Sequence, residues 1–321
     1  MTVLVLAHPS DNVADCVAEE LEARRTAVVR LNPSAFPQRL RMAARLADTC
    51  RWSGTLTADD GEVIELDAIR AVWRRSASQF VLDDRMTAPE RAFAYGEARR
   101  GFGGVLAALG DCLWVNDPVA AASAEYKPVQ LAAASEIGLC VPETLITSDP
   151  QAAHDWAKEL GRPIVYKPMS GVWHADEGQL RLMYTTPIAD PGELLDPHLS
   201  LTAQMLQERV PLGFAVRATV VGDRVFAARI DTDSLAAQED WRSDYEALHH
   251  SVIELPGTVA TALVDLHRRL GLVYGAADLI YDDISGRFVF LETNQNGEFG
   301  WIAHHTGLPI PAAIADLLER A

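Results

Sequence analysis

Near its C-terminal end the chain reads Phe288-Val-Phe-Leu-Glu-Thr-Asn-Gln-Asn-Gly297. An apolar run stops at a carboxylate and an amide one residue apart, Glu292 and Asn294. In a strand, residues i and i+2 share a face, so two oxygen ligands aim at one spot. A hard cation such as Mg²⁺ suits that donor pair. For the pair taken alone the ordinary alternative, a solvated strand end, is favoured, because such pairs are common there. The segment also predicts a hairpin, with strands 274–281 and 287–293 around a loop at 282–286. A five-residue loop pairs Tyr281 with Arg287 and sets Asp278 opposite Phe290, on the face of Glu292 and Asn294. Asp278, Glu292 and Asn294 then converge, with no cysteine or paired histidine to favour a softer metal.

The 321 residues allow two or three domains. A net charge of −17 argues against a broad nucleic-acid surface, which needs clustered Lys and Arg. No apolar run approaches the roughly 20 residues that span a bilayer, and no signal peptide opens the chain. Cys16, Cys50, Cys112 and Cys140 lie far apart in sequence. They read as thiols of a reducing cytoplasm, not as a disulfide or zinc framework.

A strand at 3–7, a helix over 11–24 and a strand at 27–31 predict a β-α-β start to an α/β layer. The intervening loop, His8-Pro-Ser-Asp11, holds no GxGxxG fingerprint. Segments 55–56 and 62–66 predict a hairpin, 69–73 a strand ending in Arg74-Arg75, and 89–109 a helix. The turn Asn116-Asp-Pro118 marks a boundary, dividing the chain into 1–115, 116–200 and 201–321. One Ala-rich helix is expected over 120–137, closed by Gly138, then a strand, a helix to Gly161 and a strand at 163–168. A strand over 180–185 should pair across a loop at 170–179. Strands at 203–208, 215–221 and 225–230, a helix over 258–270 and a last helix over 307–321 complete the pattern.

Several basic residues stand out. Lys167 ends an apolar strand, where it costs free energy if buried without a partner, and a phosphate would be that partner; a snorkelling lysine is the equal alternative. Lys127 alone reads as a solvated helix lysine. The segment Gln207-Glu-Arg-Val210 can act as a hinge whose backbone reads an adenine edge, with Glu208 near the exocyclic amine. Arg217 and Arg229, from successive strands, suit phosphate or an acyl-phosphate oxyanion, or else salt bridges to Asp231, Asp233 or Glu292. Arg74 and Arg75 would meet acidic residues of a substrate, or are ordinary surface arginines. The pairs His249-His250 and His304-His305 read as structural or surface residues.

Taken in order, Lys127, Lys167, the hinge, Arg217, Asp278, Glu292 and Asn294 resemble the nucleotide and metal contacts of the ATP-grasp superfamily over about 116–321. The N-terminal half resembles the pre-ATP-grasp domain of the graspetide synthetases, ribosomal-peptide maturases related to the microviridin ligases. The carriers are Ser10-Asp-Asn-Val-Ala-Asp15, Val29-Arg-Leu-Asn-Pro33 with Phe36-Pro37, and Val72-Trp-Arg-Arg75; Asn116-Asp-Pro118, Pro142-Glu-Thr144 and Tyr184-Thr-Thr186 fit as well. The resemblance implies an α/β ATP-grasp fold with an N-terminal Rossmann-like pre-ATP-grasp domain. It implies a cytoplasmic, homodimeric ligase using ATP and two Mg²⁺ ions, with neither nucleic acid nor membrane as partner. The substrate would be a precursor peptide with a leader. Its Asp or Glu side chains become acyl phosphates, which Thr, Ser or Lys side chains attack to close ester or amide links. Lys127, Lys167, Gln207, Glu208, Arg209, Val210 and Arg217 would hold the nucleotide, and Arg217, Lys167 and Arg229 would assist transfer. The chain departs from many relatives at Leu212-Gly-Phe-Ala215, where they carry an acid for the ribose, and at the glycine-poor loop Ser170-Gly-Val-Trp-His174. A ligase of free amino acids or of a protein terminus, and a non-catalytic ATP-binding module, are the other readings.

Overall fold

The computed structural model describes residues 2–47, 50–75, 78–170, 173–176, 179–235, 237 and 240–320, with backbone alone for 173–176 and 179–182. It opens with β1 (Thr2–Leu6), α1 (Asn12–Ala23) and β2 (Ala27–Leu31). Asp11 caps α1 by accepting from the Ala14 N–H at 3.0 Å. There follow β3 (Leu40–Leu46), β4 (Trp52–Ala58), β5 (Val63–Glu65), β6 (Ile69–Arg74), α2 (Ala88–Ala107) and β7 (Leu113–Val115). Strands β2-β1-β6-β7 make one parallel sheet. The hairpin expected around residues 59–61 is present as β4–β5, but β3 adds a third, antiparallel strand that the sequence reading missed. Arg41, Ala43 and Arg45 form its exposed face and Leu40, Met42 and Ala44 its inner one, an alternation blurred by alanine on both faces.

The single helix expected over 120–137 is two, α3 (Pro118–Ala124) and α4 (Lys127–Ile137). Pro128 has no N–H for the Ala124 carbonyl, so the helix cannot run through. The Gln130 amide donates to that carbonyl instead, at 2.5 Å. The break puts Lys127 on the first turn of a new helix. Gly138 closes α4 with φ 91°, the left-handed conformation that glycine adopts freely.

Two antiparallel sheets follow. The first is built from β8 (Thr144–Thr147), β9 (Ile164–Tyr166), β12 (Thr186–Ile188) and β13 (Gln204–Glu208), with α5 (Pro150–Leu160) against it; β10 (Trp173–Asp176) and β11 (Gln179–Leu182) form a separate hairpin. The strand expected at 180–185 is thus divided between β11 and the approach to β12. Gly171 and Val172, in the glycine-poor loop, lie outside the described residues. The second sheet has the order β16-β15-β14-β17-β18, from β14 (Phe214–Val221), β15 (Arg224–Thr232), β16 (Leu248–Val252), β17 (Tyr274–Asp282) and β18 (Arg287–Asn294). Helices α4 and α6 (Gly257–Arg269) bury Leu131, Ala134, Leu263 and Leu266 against it.

After α7 (Gly300–Thr306), the last helix, α8 (Ile310–Glu319), returns to the N-terminal sheet. Ile310, Ile314 and Leu318 share a core with Val3, Val5, Val17 and Leu21. Arg24 reinforces the contact, bonded to Asp316 at 2.6 Å and Glu319 at 3.0 Å. Among the described residues no helix is long and apolar enough to cross a membrane, and all four cysteines are free thiols.

Candidate nucleotide and metal site

The β17–β18 hairpin differs from its predicted register. Asp282 pairs with Arg287 and Tyr281 with Phe288, so the loop is one residue shorter than expected. The ladder then shifts between Leu279, opposite Phe290, and Asp278, opposite Glu292. Leu291 is the extra residue of a bulge. Asp278 therefore faces Glu292, not Phe290, and Asn294 lies opposite Ala276 on the same face. Asp278 and Glu292 are buried; Asn294 is exposed, with its side-chain oxygen accepting from the Asn296 N–H at 3.0 Å.

Four cations gather on the two acids. Lys127 Nζ lies 2.5 Å from Glu292 Oε2 and Lys167 Nζ 3.7 Å from the same atom. Arg242 reaches Glu292 Oε1 at 3.7 Å and is held by Asp240 at 2.8 Å. Arg217 bonds Asp278 at 2.9 Å. Burial alone would push the Glu292 carboxyl up, but Lys167, Lys127 and Arg242 together hold it well below the usual carboxylate range. Burial pushes the Lys167 ammonium down, against the opposing pull of Glu292. The cluster is a dense set of charges that compensate one another.

Neighbouring elements fix this set. Buried Asn116 donates to the carbonyls of Tyr274 (2.8 Å) and Gln295 (2.7 Å) and accepts from the N–H groups of Val273 (2.8 Å) and Tyr274 (2.9 Å). It thereby ties the end of β7 to the start of β17 and to the turn after β18. The same turn passes over Arg217, which donates to the Glu298 carbonyl at 3.3 Å. Gly297 is required there: a Cβ would lie 2.7 Å from the Arg217 guanidinium and 2.5 Å from Ala276.

A cavity of about 580 Å³ lies between the hinge Gln207–Val210 and the bulged hairpin, with Lys167 on its wall. That volume is ordinary for a small-molecule site. A second space of about 60 Å³ shares Lys167, Thr185, Leu212, Ile280 and Leu291 with it and reaches Asp278, Glu292 and Arg242. The apolar end and the charged end are thus continuous. Gln207, Glu208, Arg209 and Val210 all line the larger cavity. The Gln207 side chain turns away to donate to the Thr144 hydroxyl at 3.0 Å, and the Glu208 carboxylate is paired with Arg162. Leu212 stands in the wall where an acid was missing from the sequence.

Three predicted residues lie elsewhere. Arg217 pairs across the ladder with Ala228, so Arg229 projects from the opposite face. It bonds Asp231 at 2.6 and 2.7 Å and stacks 4.1 Å from the Phe214 ring centroid. Salt bridging to Asp231, the ordinary alternative for this residue, is what the geometry presents. Arg75 is 3% exposed and is no surface arginine; it pairs with Glu298 and lies 3.8 Å from Asp11. Arg74 remains exposed at the end of β6.

The sequence reading missed Arg242, Asp240 and the role of Thr185. Thr185 donates to Asp240 through its N–H and its hydroxyl, both at 3.2 Å, and so anchors Asp240-Trp-Arg242. The one available signal was an acid and a base two residues apart in a segment without periodicity. The histidine pairs stay outside the cluster: His250 stacks on His305 at 5.0 Å. Among the described residues no three His, Cys, Asp or Glu side chains form a ready-made metal site.

Residues 2–122 match the model of the MvdD pre-ATP-grasp domain. No curated protein matches the chain. Solved structures match it end to end. An ATP-grasp ligase associated with ribosomal peptides, from Chryseobacterium gregarium and in complex with ADP and a leader and core peptide, has a TM-score of 0.91 at 27% identity, covering 100% of this chain and 97% of that one. The macrocyclase MdnC from Microcystis aeruginosa, bound with precursor peptide MdnA, has a TM-score of 0.86 at 28% identity and covers 100% of both chains. The macrocyclase MdnB of the same organism has a TM-score of 0.80 at 25% identity, covering 99% and 98%. The chain therefore carries an MvdD-type pre-ATP-grasp domain at residues 2–122 and, end to end, has the fold of these ATP-grasp, peptide-modifying ligases.

Proposed function

We propose that the protein is an ATP-dependent macrocyclase of a ribosomally made precursor peptide bearing a leader. The observation that carries this reading is the continuous cavity, with a hinge at its apolar end and four cations around two opposed carboxylates at the other. ATP seats its adenine against the hinge Gln207–Val210 and its phosphates toward Lys127 and Lys167. A peptide carboxylate takes the terminal phosphoryl group and ADP leaves. A Thr, Ser or Lys side chain of the same peptide then attacks the acyl carbon, a proton is lost and phosphate departs. Arg217 faces the charge that develops during both steps, where a fixed cation in a dry site acts most strongly.

The donor set fits Mg²⁺. Asp278, Glu292 and Asn294 offer only oxygens, and phosphate oxygens complete a sphere that three side chains leave open. Asp278, Glu292 and Asn294 would hold two such ions. When bound, the metal neutralises phosphate charge and polarises the transferring group. Lys127 and Lys167 then exchange part of their pairing with Glu292 for phosphate oxygens. A homodimer in the cytoplasm is the expected working form.

The deciding experiment incubates the protein with its cognate precursor and Mg-ATP and follows peptide mass. Loss of one water per link is expected. Phosphate release with free amino acids and no peptide would instead point to a small-molecule ligase, and nucleotide binding without turnover to a non-catalytic module.

A further inference from the structure

Thr293 stands between Glu292 and Asn294 and projects from the other face of β18, as strand alternation demands. Its hydroxyl lies 3.0 Å from Nε2 of His267 on α6. Its backbone N–H donates to Gln130 Oε1 at 2.7 Å, and its carbonyl accepts from Gln130 Nε2 at 2.8 Å. All three residues are buried, at 1–3% exposure.

The tautomer follows from the partners. His267 Nδ1 is 2.7 Å from the Leu263 carbonyl, which can only accept, so Nδ1 carries the proton. Nε2 is then a bare acceptor and receives the Thr293 hydroxyl proton. Burial pushes the His267 pKa down to about 4, which keeps the imidazole neutral at working pH. Gly275 makes room for the ring: a Cβ there would sit 2.3 Å from Nε2.

β18 is an edge strand, and an edge strand's outward N–H and C=O groups need partners. Gln130 supplies both at Thr293. Gln130 is one helical turn after Lys127 on α4, so the residue that grips the strand also sets Lys127 on Glu292.

We infer that Thr293, clamped by His267 and Gln130, is a positioning residue for the cation site, fixing the aim of Glu292 and Asn294 from behind. The inference rests on the nucleotide–metal reading of the cavity. Supports behind ligating groups commonly govern metal affinity by about 10–100-fold.

The test measures Mn²⁺ binding to ADP-saturated protein by the electron paramagnetic resonance signal of free Mn²⁺, with melting of the metal-free protein as a second readout. Thr293→Val, which keeps shape and loses the hydroxyl, should weaken Mn²⁺ about tenfold. Thr293→Ser should bind within about twofold of the parent. A Thr293→Val protein that melts earlier yet binds Mn²⁺ as the parent does would overturn the inference, leaving a merely structural contact. If the valine variant does not fold, Thr293→Ala removes the same hydroxyl and carries the same expectation. A parent that binds ADP but no Mn²⁺ would overturn both the inference and the metal reading beneath it.

Discussion

Asp278 and Glu292 face each other directly across β17 and β18 because β18 carries one extra residue, Leu291. A regular ladder would put Leu291 opposite Asp278 and turn Glu292 to the other face of the sheet. Like charges directly opposite on a sheet are unfavourable, so the bulge creates a repulsion that something must offset. In the free protein Lys127, Lys167 and Arg242 offset it at Glu292, and Arg217 at Asp278. The same bulge turns Leu291 into the cavity wall.

Glu292→Gln should remove the charge on which three cations converge. We expect ATP turnover and peptide dehydration to fall at least about 100-fold, roughly 2.7 kcal/mol of transition-state stabilisation. The free protein should also melt earlier, because breaking a buried pair leaves cations uncompensated. The folded pKa of Glu292 is depressed, so its contribution is present above the unfolded value near ~4.3 and is lost as pH falls below it. Urea midpoints compared at neutral and acid pH should therefore converge between parent and variant on acidification. Full dehydration activity in the variant would refute the assignment.

Lys167→Met tests the phosphate end. Its ammonium is buried and its pKa is pushed down, so between the folded value and the unfolded value near ~10.4 the unfolded chain binds more protons. Stability should therefore rise with pH in the alkaline range, and the methionine variant should lose that rise. The KM for ATP should increase about tenfold or more, as expected when a charge-assisted contact worth ~1.5–3 kcal/mol is removed. The rise in melting temperature produced by ADP should shrink. An unchanged ADP shift would exclude Lys167 from the nucleotide.

These two positions show what the sequence could and could not reveal. Glu292, Asn294 and Lys167 were legible because each ends an apolar strand, where a polar group is anomalous. Asp278 was legible only as a member of a hairpin, and its partner was misplaced because bulges leave no periodic signal. The break before Lys127 was marked by Pro128, yet strong alanine propensity on both sides argued for one helix. Arg242 was hidden because its position depends on Thr185 holding Asp240, a contact 55 residues apart in sequence. Arg229 was misplaced because strand parity was not carried across from Arg217.

Arg242 is the most solvent-exposed cation on Glu292, its side chain 24% accessible against 7% for Lys167. We expect this cation, the most accessible of the three, to meet the peptide rather than ATP. Arg242→Ala should raise the KM for the peptide about tenfold, with less than about twofold effect on the KM for ATP. Arg242→Lys should recover little, since lysine cannot reproduce the two-point contact with Asp240. Steady-state kinetics with each substrate varied separately decides the matter; a rise confined to ATP would move Arg242 to the nucleotide side.

Arg75 connects the N-terminal sheet to the turn that covers Arg217. Its guanidinium pairs with the Glu298 carboxylate, its carbonyl accepts from the Asn296 amide, and the Glu298 carbonyl accepts from Arg217. Removing Arg75 takes a nearby cation from half-buried Asp11, which keeps its cap bond to the Ala14 N–H, whereas the Glu298 side chain, 60% accessible, can return to water. Arg75→Ala should accordingly cost about 1–3 kcal/mol of stability. It should also lower kcat, because the turn no longer holds Arg217 on Asp278, while the KM for ATP changes little. Glu298→Gln breaks the same ion pair while Arg75 stays beside Asp11, so it should lower kcat with a smaller drop in melting temperature. If both variants melted earlier but kept the parent's kcat, the contact would be a domain tether alone, with no hold on the arginine.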